Sequence, residues 1–178
     1  MRWLAALGLI TLALSATPAF TSDDSATVQA ASTETATFSM YCYWTGEATL
    51  GRVDGVVASR IGHWGGAEIV QVDYDPARTN IGELSQALKH QRSFYALIAG
   101  DEAERERAAG HLDGKDIDSR RGSPHFIDPK HSLRTRHPEL TALDLTEQQA
   151  IALNTWSYFG GPMPDVLTAE QKARLERR

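Results

Sequence analysis

Between residues 35 and 110 the apolar positions change period several times, and each change marks an element. Thr35–Met40 (TATFSM) reads as a short strand. Cys42–Val53 follows as a helix, in which Trp44, Ala48, Leu50 and Val53 leave one broadly apolar side, and Asp54-Gly55 stops it. Val56–Gly62 (VVASRIG) predicts a second strand, and Gly62-His63-Trp64-Gly65-Gly66 a glycine-rich connection. Glu68–Tyr74 alternates, with Ile69, Gln71 and Asp73 on one face and Val70, Val72 and Tyr74 on the other, before Asp75-Pro76 ends the strand. Asn80 is a good N-cap with Glu83 as its capping-box partner, and Ile81, Leu84, Ala87 and Leu88 then fall at helical spacing over 81–90. Ser93–Ala99 is apolar enough for a further strand, and Asp101–Ala109 is an exposed helix whose acids come first, as the helix dipole favours. The order β-α-β-β-α-β predicts an α+β fold of the split βαβ, ferredoxin-like kind: an antiparallel sheet with two helices on one face, its core at about 35–110.

The flanks read differently. Residues 111–140 are rich in Gly, Asp, Lys, Arg, His and Pro and predict a long irregular excursion. Thr146-Glu147-Gln148-Gln149 is a capping box opening a helix through about Tyr158, which Gly160-Gly161-Pro162 stops, and Thr168-Ala169-Glu170-Gln171 opens a short terminal helix. Residues 111–178 are therefore expected to form an extension packed on the core. At the other end, Arg2, the thirteen-residue apolar run Leu4–Ala16 and the small residues of Thr17-Pro18-Ala19 have the three-part layout of a cleaved secretory signal peptide. The run is short for a membrane span. The expected location is periplasmic or secreted, with no membrane attachment once residues 1–19 are removed. Residues 20–34 are small and polar and predict a disordered leader.

Composition adds mainly exclusions. A net charge of −5 gives no reason to expect a nucleic-acid or anionic-membrane partner, and a single cysteine rules out an intramolecular disulfide or a cysteine-rich zinc site. That cysteine, Cys42, lies where the first strand becomes the first helix. A thiol at a helix N-terminus feels the positive end of the dipole, which favours the thiolate, the form that attacks.

The residues around it resemble a known family. Cys42-Tyr43-Trp44 with Glu47 is similar to the G-C-F-W-x-x-E signature of the A-type peptide methionine sulfoxide reductases. The resemblance runs on through Gly55-Val56-Val57, Arg60-Ile61-Gly62, Gly65-Gly66 and Ala67–Pro76, with a weaker echo at Arg92-Ser93, and covers about residues 37–109. It implies a split βαβ core and a division of labour. Cys42 would attack the sulfur of a methionine sulfoxide, and Glu68 would protonate the departing oxygen. Tyr43 and Trp44 would line the pocket for the substrate methyl, a wall that suits sulfur. Glu47 matches a signature position one turn further down the helix and is read as structural.

The sequence also departs from the family pattern. Tyr41 stands where the family has Gly, and Ala67 where it has His. Gly65-Gly66 run directly into Ala67-Glu68, without the loop whose Tyr binds the sulfoxide oxygen. His90-Gln91-Arg92-Ser93 replaces a D-x-G-x-x-Y-R-S segment. His63, Tyr95 or a residue of the C-terminal extension is left to supply the missing hydrogen bonds. With no resolving cysteine and no cofactor expected, turnover requires an external thiol reductant such as a thioredoxin-like protein, and the other partner is oxidised methionine or a peptide containing it.

Three further groups stand out. His63 and Trp64, in the glycine-rich turn, are candidates to line the site, His63 as base or orienter. His125, Asp128, His131 and His137 interleave with Lys130, Arg134 and Arg136, a pattern that favours a solvated basic loop over a metal site. Trp156, Tyr158 and Phe159 read as an aromatic seal between extension and core, or as a replacement substrate wall. The competing reading of the whole chain is a non-catalytic thiol- or metal-binding protein that keeps the reductase fold.

Overall fold

A computed structural model describes residues 32–127 and 130–177; residues 1–19, most of 20–34 and Asp128 lie outside the described residues. Strand β1 (Glu34–Met40), helix α1 (Tyr43–Leu50), strands β2 (Val56–Trp64) and β3 (Ala67–Tyr74), helix α2 (Ile81–His90) and strand β4 (Phe94–Ala99) follow the expected order. Helix α3 (Glu102–Ala109) comes next. The four strands lie in the order β4-β1-β3-β2, each neighbour antiparallel. This is the split βαβ arrangement, and the fold is α+β.

The hairpin between β2 and β3 fixes the register on which the site depends. It contains only Gly65 and Gly66, both at positive φ (55° and 82°), the geometry in which a two-residue turn matches the twist of its strands. His63 and Trp64 therefore belong to β2 rather than to a loop: His63 pairs with Glu68 and Trp64 with Ala67. Strand alternation then sends the two side chains to opposite faces. One face carries Phe38, Met40, Ile61, Val70, Val72 and Tyr74, packed against Leu50 of α1 and Leu84 and Leu88 of α2. The other carries a smaller cluster of Trp64, Ile69 and Ile98, with Phe126 against it.

The extension is more ordered than its composition suggests. After a 3-10 turn at Gly114–Asp116, β5 (Ile117–Ser119) adds to β4 in parallel, and β6 (His125–Phe126) adds to β2. The sheet is thus mixed and six-stranded rather than wholly antiparallel. Strands of two or three residues are too short to show a period; the exposed edges of the sheet template them. Helices α4 (His131–Arg136), α5 (Pro138–Thr141), α6 (Glu147–Phe159) and α7 (Ala169–Glu176) complete the chain. Both capping boxes predicted within the extension are formed, at Thr146 and Thr168. Leu133, Leu140, Leu143, Leu153 and Leu167 give the extension a core of its own, and α6 packs against α1 and β2. Among the described residues no helix is long and apolar enough to cross a membrane.

Candidate active site

Cys42 is the N-cap of α1, with extended backbone (φ −140°, ψ 112°) and no side-chain capping bond. It is half-buried. A cysteine cap leaves the first N–H groups of the helix open, and α1 has no acid in its own first turn. Glu68 reaches this turn from β3: its Oε2 accepts the Tyr43 backbone N–H at 2.8 Å. Its other oxygen has no partner among the described residues. Below, Gly46 lets the helix settle onto the sheet, because a Cβ there would lie 1.9 Å from Met40 Sδ. Met40, Glu68 and His63 are register partners in one row across the strands, so the hairpin and the close helix contact together deliver Glu68 to the residue after the thiol.

Aromatic rings cover the same turn. Tyr43 stacks on Trp44 at 5.7 Å between centroids and meets His63 edge-on at 5.4 Å. The Tyr43 phenol is pushed above its ordinary pKa, first by burial and then by the negative charges of Glu68 and the Cys42 thiolate, so ring, carboxylate and thiol share one electrostatic neighbourhood. His131, at the start of α4, stacks on Trp44 at 3.9 Å and 3°. Tyr158, at the end of α6, shares a 2.6 Å hydrogen bond with Thr45.

The next turn of the helix is anchored instead of open. Glu47 is buried, 2% exposed, and its carboxylate accepts from Ser59 Oγ (3.2 Å), Lys130 N (3.1 Å), Lys130 Nζ (3.3 Å) and Asn154 Nδ2 (3.2 Å). Lys130 Nζ also donates to the Ser59 carbonyl and to Glu147 Oε1, each at 2.8 Å. The structural reading of Glu47 thus has four named donors behind it.

The structure brings together Cys42, Tyr43, Trp44, Glu68 and His63. It places Trp64 elsewhere: that side chain is buried on the opposite sheet face and its indole N–H donates to the Arg121 carbonyl at 3.2 Å. Tyr95 is exposed on β4, and none of the contacts above involves it. The segment read as a solvated basic loop is not one. Lys130 is buried, His131 lies on Trp44, and His137 packs against Trp156 at 4.4 Å. Among the described residues no group of three or more His, Cys, Asp or Glu is placed to hold a metal ion. Lys130 and His131 were missed as parts of the site because nothing local marks a lysine for burial or a histidine for stacking on a ring 87 residues away; the one sequence signal was an unpaired acid, Glu47, inside an apolar helix.

Comparison with known proteins returns a partial likeness. No family model matches the chain. The peptide methionine sulfoxide reductase MsrA of Geobacter metallireducens is 41% identical over a 68-residue alignment that covers 29% of this chain and 42% of that protein. The chain therefore spans less than half of the curated relative it matches, and the likeness supports a methionine sulfoxide reductase-like relationship over that part.

Proposed function

We propose that this chain is an exported, thiol-dependent reductase of methionine sulfoxide, with Cys42 as nucleophile and Glu68 as proton donor. The observation that carries the reading is the pairing of a thiol at a helix N-cap position with a carboxyl group bound to the very next backbone N–H. The partial likeness to a peptide methionine sulfoxide reductase supports it.

In this mechanism the Cys42 thiolate bonds to the sulfoxide sulfur while the Glu68 carboxyl gives its proton to the oxygen, since unprotonated oxide is too poor a leaving group. The oxygen passes to the Cys42 sulfur as a sulfenic acid and the thioether departs. The substrate sulfur gains two electrons and the cysteine sulfur loses two. Two equivalents of an external thiol, from a thioredoxin-like partner in the periplasm or outside the cell, then return Cys42 to the thiol, with release of water and a disulfide. Tyr43 and Trp44 receive the methyl and thioether side of the substrate, and His63 orients the group from the edge of Tyr43.

The test is reduction of methionine S-sulfoxide and of an oxidised-methionine peptide by the purified protein with dithiothreitol. Turnover is expected to vanish in Cys42→Ser and to fall about a hundredfold in Glu68→Gln. A folded protein that turns over neither substrate, yet whose Cys42 still reacts with iodoacetamide, favours the non-catalytic thiol-binding alternative. Export is checked separately: mass spectrometry of the mature protein is expected to find an N-terminus near residue 20, and one still at Met1 sinks that part of the proposal.

A further inference from the structure

The reacting sulfur has to sit against Cys42, so in a peptide the chain on either side of the oxidised methionine must cross whatever flanks the thiol. Among the described residues five large apolar or aromatic side chains are exposed, and three of them lie around Cys42: Tyr41 (73%), Trp44 (38%) and Tyr95 (58%). Trp44 already belongs to the proposed methyl pocket. Tyr41 and Tyr95 have no part in the mechanism above.

The sheet brings these two tyrosines to one place. Ser39 pairs with Ala96 and Met40 with Phe94, so Tyr95 is the extra residue of a bulge in β4. Met40 is buried and Phe94 packs against the same core cluster, which leaves the residues that follow them to face outward. Beyond that pair the Tyr41 N–H donates to the Ser93 carbonyl at 3.0 Å, and Tyr95 is two residues along from Ser93. Diagonal neighbours of this kind are about 7–8 Å apart, within reach of aromatic side chains. The Ser93 hydroxyl donates to the Cys42 carbonyl at 3.4 Å. The segment that carries Tyr95 therefore also holds the backbone of the thiol.

Neither the Tyr41 nor the Tyr95 side chain has a hydrogen-bond or ring partner among the described residues. Each presents a rigid ring to solvent beside the thiol, and such rings offer a large contact area at low entropy cost. We propose that Tyr41 and Tyr95 form a subsite for the residues flanking an oxidised methionine, and that it selects peptides in which those residues are apolar or aromatic. This rests on the reductase reading and deepens it by naming the substrate class. Apolar and aromatic neighbours belong mostly to protein interiors. The preferred substrate is therefore an unfolded chain, ahead of a native surface or the free amino acid.

The experiment is steady-state reduction of two blocked tripeptides with methionine S-sulfoxide at the centre, one flanked by phenylalanine and the other by glycine. Dithiothreitol is the reductant, and the assay is repeated with a thioredoxin-like protein. The full chain is used as wild type, Tyr41→Ala, Tyr95→Ala, the double Ala variant, the double Phe variant and Cys42→Ser. Wild type is expected to favour the phenylalanine peptide by about tenfold in kcat/KM, mainly through KM. Each single Ala variant is expected to lose about threefold of that preference and the double Ala variant nearly all of it, while the double Phe variant keeps it. Tyr95 lies on a different strand from the thiol, so Tyr95→Ala tests the subsite apart from any local effect of Tyr41 on Cys42. Turnover that does not discriminate between the peptides, or a preference that survives in the double Ala variant, overturns the inference and leaves the reductase standing. Equal loss for both peptides does the same. A loss seen with the thioredoxin-like protein and absent with dithiothreitol also overturns it, because the patch then receives the reductant. A wild-type protein without Cys42-dependent turnover of either peptide overturns the reductase reading, and this inference with it.

Discussion

Glu68 and Glu47 each hold helix α1 through a carboxylate, one at its first turn and the other at its second, and they do so under different conditions. Glu68 is half-buried, accepts one backbone N–H and keeps an oxygen without a protein partner among the described residues. Glu47 is buried, accepts from four donors and faces the ammonium of Lys130. A carboxyl that must exchange a proton needs access and spare hydrogen-bonding capacity. One that must fix a helix needs neither, and in low dielectric it cannot be left unpaired. The second turn fixes α1 so that the first can stay chemically open.

The sharpest way to break this contrast is to remove Lys130. Lys130→Met leaves Glu47 buried without its counter-charge and takes a donor from Ser59 O and Glu147. Breaking a buried pair from one side costs about 3–5 kcal/mol, and urea unfolding is expected to show a loss of that size. Adding Glu47→Gln to Lys130→Met removes the stranded charge and is expected to recover part of it, which a double-mutant cycle measures. A loss under about 1 kcal/mol in the single variant would mean that the network holds the extension's surface and not the helix.

Packing between α1 and α6 gives the next effect. Gly51 ends α1, and a Cβ there would lie 2.3 Å from Thr155 Oγ1 and 2.8 Å from Ile151 Cγ2. Gly51→Ala is expected to cost about 1–3 kcal/mol through overpacking. If the second turn is the anchor, the alkylation rate of Cys42 in the folded variant stays near wild type.

How far the sequence could be read follows the same division. The strands and helices of the core declare themselves through alternation and helical spacing, and the caps at Thr146 and Thr168 are formed as written. Asn80 caps α2 by accepting from Glu83 N, although the Glu83 carboxylate takes the Thr79 hydroxyl instead of closing the box. Cys42, Tyr43, Trp44 and Glu68 were legible because the thiol, the aromatic pair and the acid lie in short stretches with a recognisable pattern. Trp64 was not, because its face depends on the parity of β2, which the two-glycine hairpin sets. Lys130 was not, because its partner Glu47 is 83 residues earlier and lysine burial has no local pattern. Lys130 and Glu47 meet across 83 residues with no local pattern to mark them, whereas Cys42, Tyr43 and Trp44 are consecutive and Glu68 lies in the nearby patterned run of β3.

At the first turn the expected effects on stability are small while those on activity are large. Glu68→Gln keeps an oxygen acceptor for Tyr43 N in a side chain of the same shape, so the expected cost is about 1 kcal/mol or less. The proposed hundredfold loss of turnover would therefore come from a protein almost as stable as wild type. A destabilisation as large as that of Lys130→Met would erase the distinction between the two carboxylates.

Cys42→Ser is the smallest change in stability and carries the most pointed sign. Cys42 occupies a capping position with extended backbone but makes no capping bond. A serine hydroxyl in the same place can accept from the backbone N–H of Trp44 or Thr45, which cysteine does poorly, and a good N-cap is worth about 0.5–1 kcal/mol. The serine variant is therefore expected to unfold at slightly higher urea than the wild type, with unchanged slope. That outcome would mean that the helix start gives up a cap in order to carry a thiol, as expected of a position kept for reactivity. A loss of more than about 1 kcal/mol would mean the opposite: the sulfur is held by packing, and the first turn is as structural as the second.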